Sequence, residues 1–154
     1  MKLGQKAPDF SLKDRTGKDY SPKSFKGDFL VIYFYPKDNT PGCTTEAVRF
    51  SEDRAKFKKH KIDIVGISGG DEKSKEKFCT KHDLDLLLLS DTDFTVAKLY
   101  SSFGEKTFMG RKYKGIFRNT FILDKSRKVI KIFEKVSVNE HSAEVLEAVK
   151  SLIK

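Results

Sequence analysis

Cys43 is the side chain of this 154-residue sequence best suited to nucleophilic chemistry. It follows Tyr35-Pro36-Lys37-Asp38-Asn39-Thr40-Pro41-Gly42, where a strongly apolar stretch gives way to helical periodicity. A cysteine in the first turn of a helix lies among N–H groups that have no intrahelical acceptor. The helix dipole there favours a thiolate, the reactive form of sulfur. Thr40 could direct its hydroxyl toward the same pocket, while Pro36 and Pro41 restrict the backbone and could shield the sulfur from water. An isolated cysteine is also commonly a small buried hydrophobe, and helix position alone leaves both readings open.

The remaining candidates are weaker. Cys43 and Cys79 are too few for a secreted disulfide framework and too far apart for a CxxC motif. In a reducing compartment such a pair is more often catalytic or incidental than structural. His60, His82 and His141 lack metal-ligand spacing, so neither a metal nor another cofactor is expected. Asp91 and Asp93 read as a strand end and a helix cap, and Gly69-Gly70 lacks the Lys-Ser/Thr ending of a phosphate loop. A thiol-disulfide oxidoreductase would carry its second cysteine three residues after the first, and that position is Glu46.

The elements that must position these residues follow from the punctuation. Phe10 to Leu12 and the Asp14-Arg15-Thr16-Gly17 turn suggest an N-terminal hairpin, and Ser21-Pro22 a short helical turn ending near Gly27. Phe29 to Tyr35 is continuously apolar and rich in β-branched and aromatic residues, as expected of a central strand covered on both faces. From Cys43 the pattern turns helical, with Ala47, Phe50 and Phe57 on one face. Ile62 to Ser68 is a second buried strand, Asp71 caps a helix running to about His82, and Leu86 to Leu89 forms a third strand. A brief helix from Thr95 to Tyr100 leads into a loop from Gly104 to Gly115. Arg118 to Leu123 and Val129 to Phe133 then read as an antiparallel hairpin. Ser137 and Glu140 fit a capping box for a last helix with Val145, Leu146, Val149, Leu152 and Ile153 as its apolar stripe. Strands alternating with helices predict an α/β fold, a mixed or parallel sheet flanked by helices, in one domain spanning residues 1–154.

Composition limits the partners. The net charge of +9 raises nucleic-acid binding, but the 31 Lys and Arg residues are scattered among acidic neighbours and read as a solvated, lysine-rich surface. A basic binding module stands as the non-enzymatic rival, and salt-sensitive binding would reveal it. No leader-like apolar segment follows Met1, and the run ending at Tyr35 is too short to cross a bilayer, so a cytoplasmic protein without a membrane partner is expected.

The spacing Pro36-x-x-x-Thr40-x-x-Cys43 matches the peroxiredoxin active-site motif PxxxTxxC. The chain most resembles the bacterioferritin comigratory protein (Prx Q) subfamily. Family-like stretches include Phe34-Tyr35-Pro36-Lys37, Gly66-Ile67-Ser68, Leu89-Ser90-Asp91, Gly104-Glu105-Lys106, Gly115-Ile116-Phe117-Arg118 and Phe121-Ile122-Leu123-Asp124, in family order over nearly the whole chain. The resemblance implies a thioredoxin-like fold and a thiol peroxidase acting on hydrogen peroxide and organic hydroperoxides. It implies Cys43 as peroxidatic nucleophile, Thr40 as hydrogen-bonding partner and Arg118 as activating guanidinium, with Pro36 lining the substrate site. A common form of the subfamily carries its resolving cysteine five residues after the peroxidatic one, but here that position is Val48. Cys79 falls in the expected 71–82 helix, where another branch carries its resolving thiol, and is assigned that role by resemblance. The alternative is a one-cysteine enzyme resolved by an external thiol. Closing a Cys43–Cys79 bridge would require local unwinding at Cys43 if the two helices are held apart. Thioredoxin or a similar dithiol protein as reductant, and a monomeric state, are further implications of the resemblance.

Overall fold

In the computed structural model, which describes residues 1–138 and 141–153, the apolar run forms β3, Phe29–Phe34. Its side chains alternate between two cores. Val31, Tyr33 and the following Tyr35 enter one cluster with Phe50, Phe57, Phe78 and both cysteines. Leu30, Ile32 and Phe34 enter another with Val65, Ile67, Tyr100 and Phe121. Burial on both faces accounts for the absence of polar residues in this strand.

The other sheet strands are β1 (Leu12–Lys13), β2 (Asp19–Tyr20), β4 (Ile62–Ser68), β5 (Leu87–Ser90), β8 (Thr120–Leu123) and β9 (Val129–Phe133). They form one mixed seven-stranded sheet in the order β2-β1-β5-β4-β3-β8-β9. β3, β4 and β5 run parallel, whereas β8 lies antiparallel to β3 with Tyr33 opposite Thr120. The helices are α1 (Pro41–Lys59), α2 (Glu72–His82), α3 (Thr95–Leu99) and α4 (His141–Ile153), and a 3-10 turn occupies Pro22–Ser24 after Ser21. Asp71 caps α2 by accepting a hydrogen bond from the Ser74 N–H at 2.9 Å. The mixed α/β architecture and the N-terminal hairpin agree with the sequence expectation.

Four details differ. α1 starts at Pro41, two residues before Cys43, because a proline at the first helical position forfeits no intrahelical hydrogen bond. The segment expected as a loop from Gly104 to Gly115 is a two-stranded hairpin, β6 (Phe103–Phe108) and β7 (Arg111–Ile116). Met109 and Gly110 both adopt positive φ at its tip, as a tight two-residue hairpin turn requires. Both strands are largely solvent-exposed, so no apolar alternation marked them. Arg118 does not open β8 but precedes it by two residues. There the Asn119 N–H turns back to donate to the Phe117 carbonyl instead of to a neighbouring strand. Val145, Leu146 and Val149 are buried as expected, but Leu152 is 45% exposed at the end of α4. Of the proposed capping pair, Glu140 lies outside the described residues.

Gly66, opposite Tyr33 in the β3–β4 ladder, fixes how the Tyr33 ring lies. A Cβ at this position would stand 2.7 Å from the Tyr33 ring and from Leu88. Gly66→Ala is expected to lower unfolding free energy by roughly 1–3 kcal/mol through overpacking, read as a lower urea midpoint at unchanged m-value.

Candidate active site

The end of β3 delivers the chain through Tyr35 and Pro36 to the N-terminus of α1. Thr40 is the N-cap, Pro41 and Gly42 follow, and Cys43 is the third helical residue. The first intrahelical bond runs from the Thr44 N–H to the Thr40 carbonyl at 2.8 Å. The Gly42 and Cys43 amides therefore lie in the turn whose N–H groups lack helical acceptors, and they favour negative charge beside them.

Because β8 is antiparallel to β3, the segment entering β8 lies beside the end where β3 exits. This brings Arg118 to Cys43 across 75 residues of sequence: Nη2 donates to Sγ at 3.1 Å. Cys43 is 1% exposed, so the contact is shielded from water on its sulfur side, while the Arg118 side chain is 21% exposed. Gly42 makes the approach possible, since a Cβ there would sit 2.9 Å from Nη2. A guanidinium and a helix N-terminus converge on one buried sulfur, and the spare N–H donors of the guanidinium can receive charge from an oxygen leaving group.

The other nitrogen of the fork, Arg118 Nη1, donates to Glu46 Oε1 at 3.2 Å. Glu46 is 1% exposed and its Oε2 has no hydrogen-bond partner. Burial raises its pKa to about 7, against the lowering effect of Arg118. Sequence reasoning treated Glu46 only as the absence of a second CxxC cysteine. Its place three residues after Cys43, beside Ala47 on the buried face of α1, was the available signal.

Thr40 differs from expectation in one respect: its hydroxyl donates to the Lys37 carbonyl at 2.8 Å, leaving its lone pairs as the groups that could face a substrate. Pro36 is half-buried at the strand exit. Cys79 sits in α2, 3% exposed, in the same apolar cluster as Cys43, and both are free thiols. Burial pushes the Cys79 thiol up, partly offset by Arg15. Tyr33 belongs to that cluster, and its buried hydroxyl has no partner. Burial first, then the charges of Glu46, Cys43 and Cys79, raise its pKa well above the ordinary value.

The AhpC/TSA family profile matches residues 3–132. The chain belongs to this family. It is 40% identical over 152 residues to Peroxiredoxin Bcp of Bacillus subtilis, covering 99% of this chain and 97% of that protein. To Peroxiredoxin Bcp of Escherichia coli it is 37% identical over 150 residues, covering 97% and 96%. The solved bacterioferritin comigratory protein of Xanthomonas campestris, studied for its alkyl peroxide reduction, superposes with a TM-score of 0.91 at 34% identity, covering 99% of this chain and all of that one. A PrxQ variant from Xylella fastidiosa gives 0.94 at 29% identity, covering 100% and 98%. The sequence resemblance is thereby supported: the chain is a peroxiredoxin of the Bcp/PrxQ type with a thioredoxin-like fold, a thiol-dependent enzyme that reduces peroxides.

A raised carboxyl pKa has a definite sign in stability. Glu46 ionises near 7 in the folded chain but near 4.5 in the unfolded one, so folding opposes its ionisation. The stability advantage of its neutral form is complete below about pH 4.5 and is lost as pH rises through about 7. Glu46→Gln, which keeps an acceptor for Arg118, is expected to lack this loss. Its urea midpoint relative to wild type should rise between pH 4.5 and 7, and parallel midpoints across that range would refute the assignment.

Proposed function

We propose that Cys43 is the peroxidatic nucleophile, activated by Arg118, and that Cys79 resolves it. The observation that carries this reading is the 3.1 Å contact between Arg118 Nη2 and the buried Cys43 sulfur at the α1 N-terminus. The thiolate attacks one peroxide oxygen, the O–O bond breaks, and Cys43 becomes a sulfenic acid while the other oxygen leaves as an alkoxide or hydroxide. Arg118, the Cys43 N–H and Thr40 hold the peroxide and the departing oxygen. Pro36 shapes the substrate side of the same pocket.

An open groove of about 470 Å³ beside Arg118, lined by Lys106, Thr107, Phe117, Lys135 and Val136, offers room for a substituent larger than hydrogen. This supports organic hydroperoxides as substrates alongside hydrogen peroxide.

Cys79 then attacks the sulfenic sulfur, forming the disulfide and releasing water. Both thiols are buried before the bridge forms, and local unwinding at the first turn of α1 to close it also brings the disulfide within reach of a protein reductant. A dithiol protein of the thioredoxin type fits that requirement. A monomer of one domain in a reducing cytoplasm completes the proposal, with hydrophobic clusters on both faces of a single sheet supporting the one-domain reading.

Stopped-flow peroxide reduction tests these roles. Cys43→Ser should abolish turnover, and retained turnover would end the assignment. Arg118→Ala should slow peroxide consumption by about 10²-fold, the cost of removing one preorganised donor. Mass spectrometry after one equivalent of peroxide should show Cys43 and Cys79 peptides linked. A Cys43 sulfenic acid without that link would instead mark a one-cysteine enzyme resolved externally.

A further inference from the structure

Asp38, two residues before Thr40, is charged and buried within the active-site loop. Its carboxylate accepts hydrogen bonds from the Tyr35 hydroxyl and from Ser74 Oγ, each at 2.6 Å, and pairs with Lys75 Nζ at 3.4 Å. Lys75 is fully buried although α2 belongs to a chain with ample lysine at its surface. Its ammonium also donates to Ser68 Oγ at 2.8 Å and to the Gly70 carbonyl at 3.0 Å, and lies over the Tyr35 ring. Lys75 stands one turn before Cys79 on the same buried face of α2. At the other end of α2, His82 Nε2 lies 3.1 Å from Asn39 Oδ1. Asp38 and Asn39, neighbours in the active-site loop, are thus each tied to the helix that carries Cys79.

A buried ion pair contributes little net stability, because its attraction is offset by the water both charges lose. It does discriminate between arrangements. When loop and helix separate, both charges regain water, so the intact pair holds the closed form only lightly; if one partner is removed, the other is stranded in the closed form alone. We propose that Asp38–Lys75 is a latch between the active-site loop and the Cys79 helix. The matching of its two charges sets how the Cys43 sulfenic acid divides between disulfide formation and over-oxidation. This inference rests on the resolving role of Cys79.

The two fates require different arrangements. In the closed form the sulfenic sulfur remains beside Arg118. There a second hydroperoxide can add an oxygen, its O–O bond breaking and an alcohol leaving, to give the sulfinic acid. In the open form the Cys79 thiolate attacks the sulfenic sulfur. The S–S bond forms, the S–O bond breaks, and the hydroxide leaves as water with one proton. Asp38 and Lys75 touch neither sulfur nor peroxide and act as positioning residues.

Rapid mixing resolves the two steps as successive phases, and mass spectrometry under excess peroxide counts sulfinic acid. Lys75→Met should leave the first phase unchanged and accelerate disulfide formation about tenfold, the equivalent of one hydrogen bond to a charged group. Sulfinic acid should fall in proportion. The double variant Asp38→Asn/Lys75→Met strands no charge, and its partition should return toward wild type, which a purely structural role would not produce. If Lys75→Met does not fold, Ser74→Ala removes one hydrogen bond from Asp38 while sparing the pair, and should shift the partition the same way by a smaller factor. A lowered melting temperature with an unchanged partition overturns the latch alone. A wild type that forms no Cys43–Cys79 disulfide overturns the latch together with the resolving role of Cys79.

Discussion

The site depends on one guanidinium shared between a buried sulfur and a buried carboxylate. Arg118 reaches Cys43 with Nη2 and Glu46 with Nη1, and both targets are 1% exposed. A carboxylate and a thiolate in that space would compete for a single positive charge. Burial raises the Glu46 pKa to about 7, so near neutrality much of the competition is relieved by protonation of the carboxyl. The fork then serves the sulfur while keeping its orientation through the second hydrogen bond. An arginine held at one nitrogen and free to act at the other is preorganised, which a lysine on a flexible stem could not reproduce.

The sheet makes this sharing possible. Parallel β3 and β4 carry the loop and helix that present Cys43, but a further parallel strand beside β3 would enter at the far end of the sheet. Antiparallel β8 places its entry next to the β3 exit, with Tyr33 opposite Thr120. The Phe34 N–H donates to the Asn119 carbonyl, so the register continues up to the residue beside Arg118. Gly42 supplies the remaining clearance.

What was legible in the sequence follows the same division. Apolar β3, the helical face of Ala47, Phe50 and Phe57, and the Asp71 cap are local patterns, and they appear at or within a residue or two of where they were expected. The motif around Cys43 is also local, so its position at the head of a helix could be read directly. The β6–β7 hairpin was missed because its register is set by a turn at Met109-Gly110, and its strands bury almost nothing. Glu46 and the Asp38–Lys75 pair were missed for another reason. Each is a charged residue whose burial depends on a partner distant in sequence, and composition reads any lone charge as surface.

The burial that shields the Cys43 sulfur from water also hides it from any protein partner. An apolar seal over the site would cost its full transfer free energy at every opening, since exposed methylenes gain nothing from water. The loop that carries Thr40 and the helix that carries Cys79 are joined instead partly by polar contacts: Asp38 with Ser74 and Lys75, and Asn39 with His82. Such contacts exchange for hydrogen bonds to water when broken, at a net cost of about 1.5–3 kcal/mol for one to a charged group and less for a neutral one. Phe50 and Phe57 farther along α1, with Tyr33, stay in the apolar cluster and can hold the rest of the helix in place. Opening can therefore be confined to the turn and loop where the chemistry requires it, while the sheet and the arginine it positions remain intact.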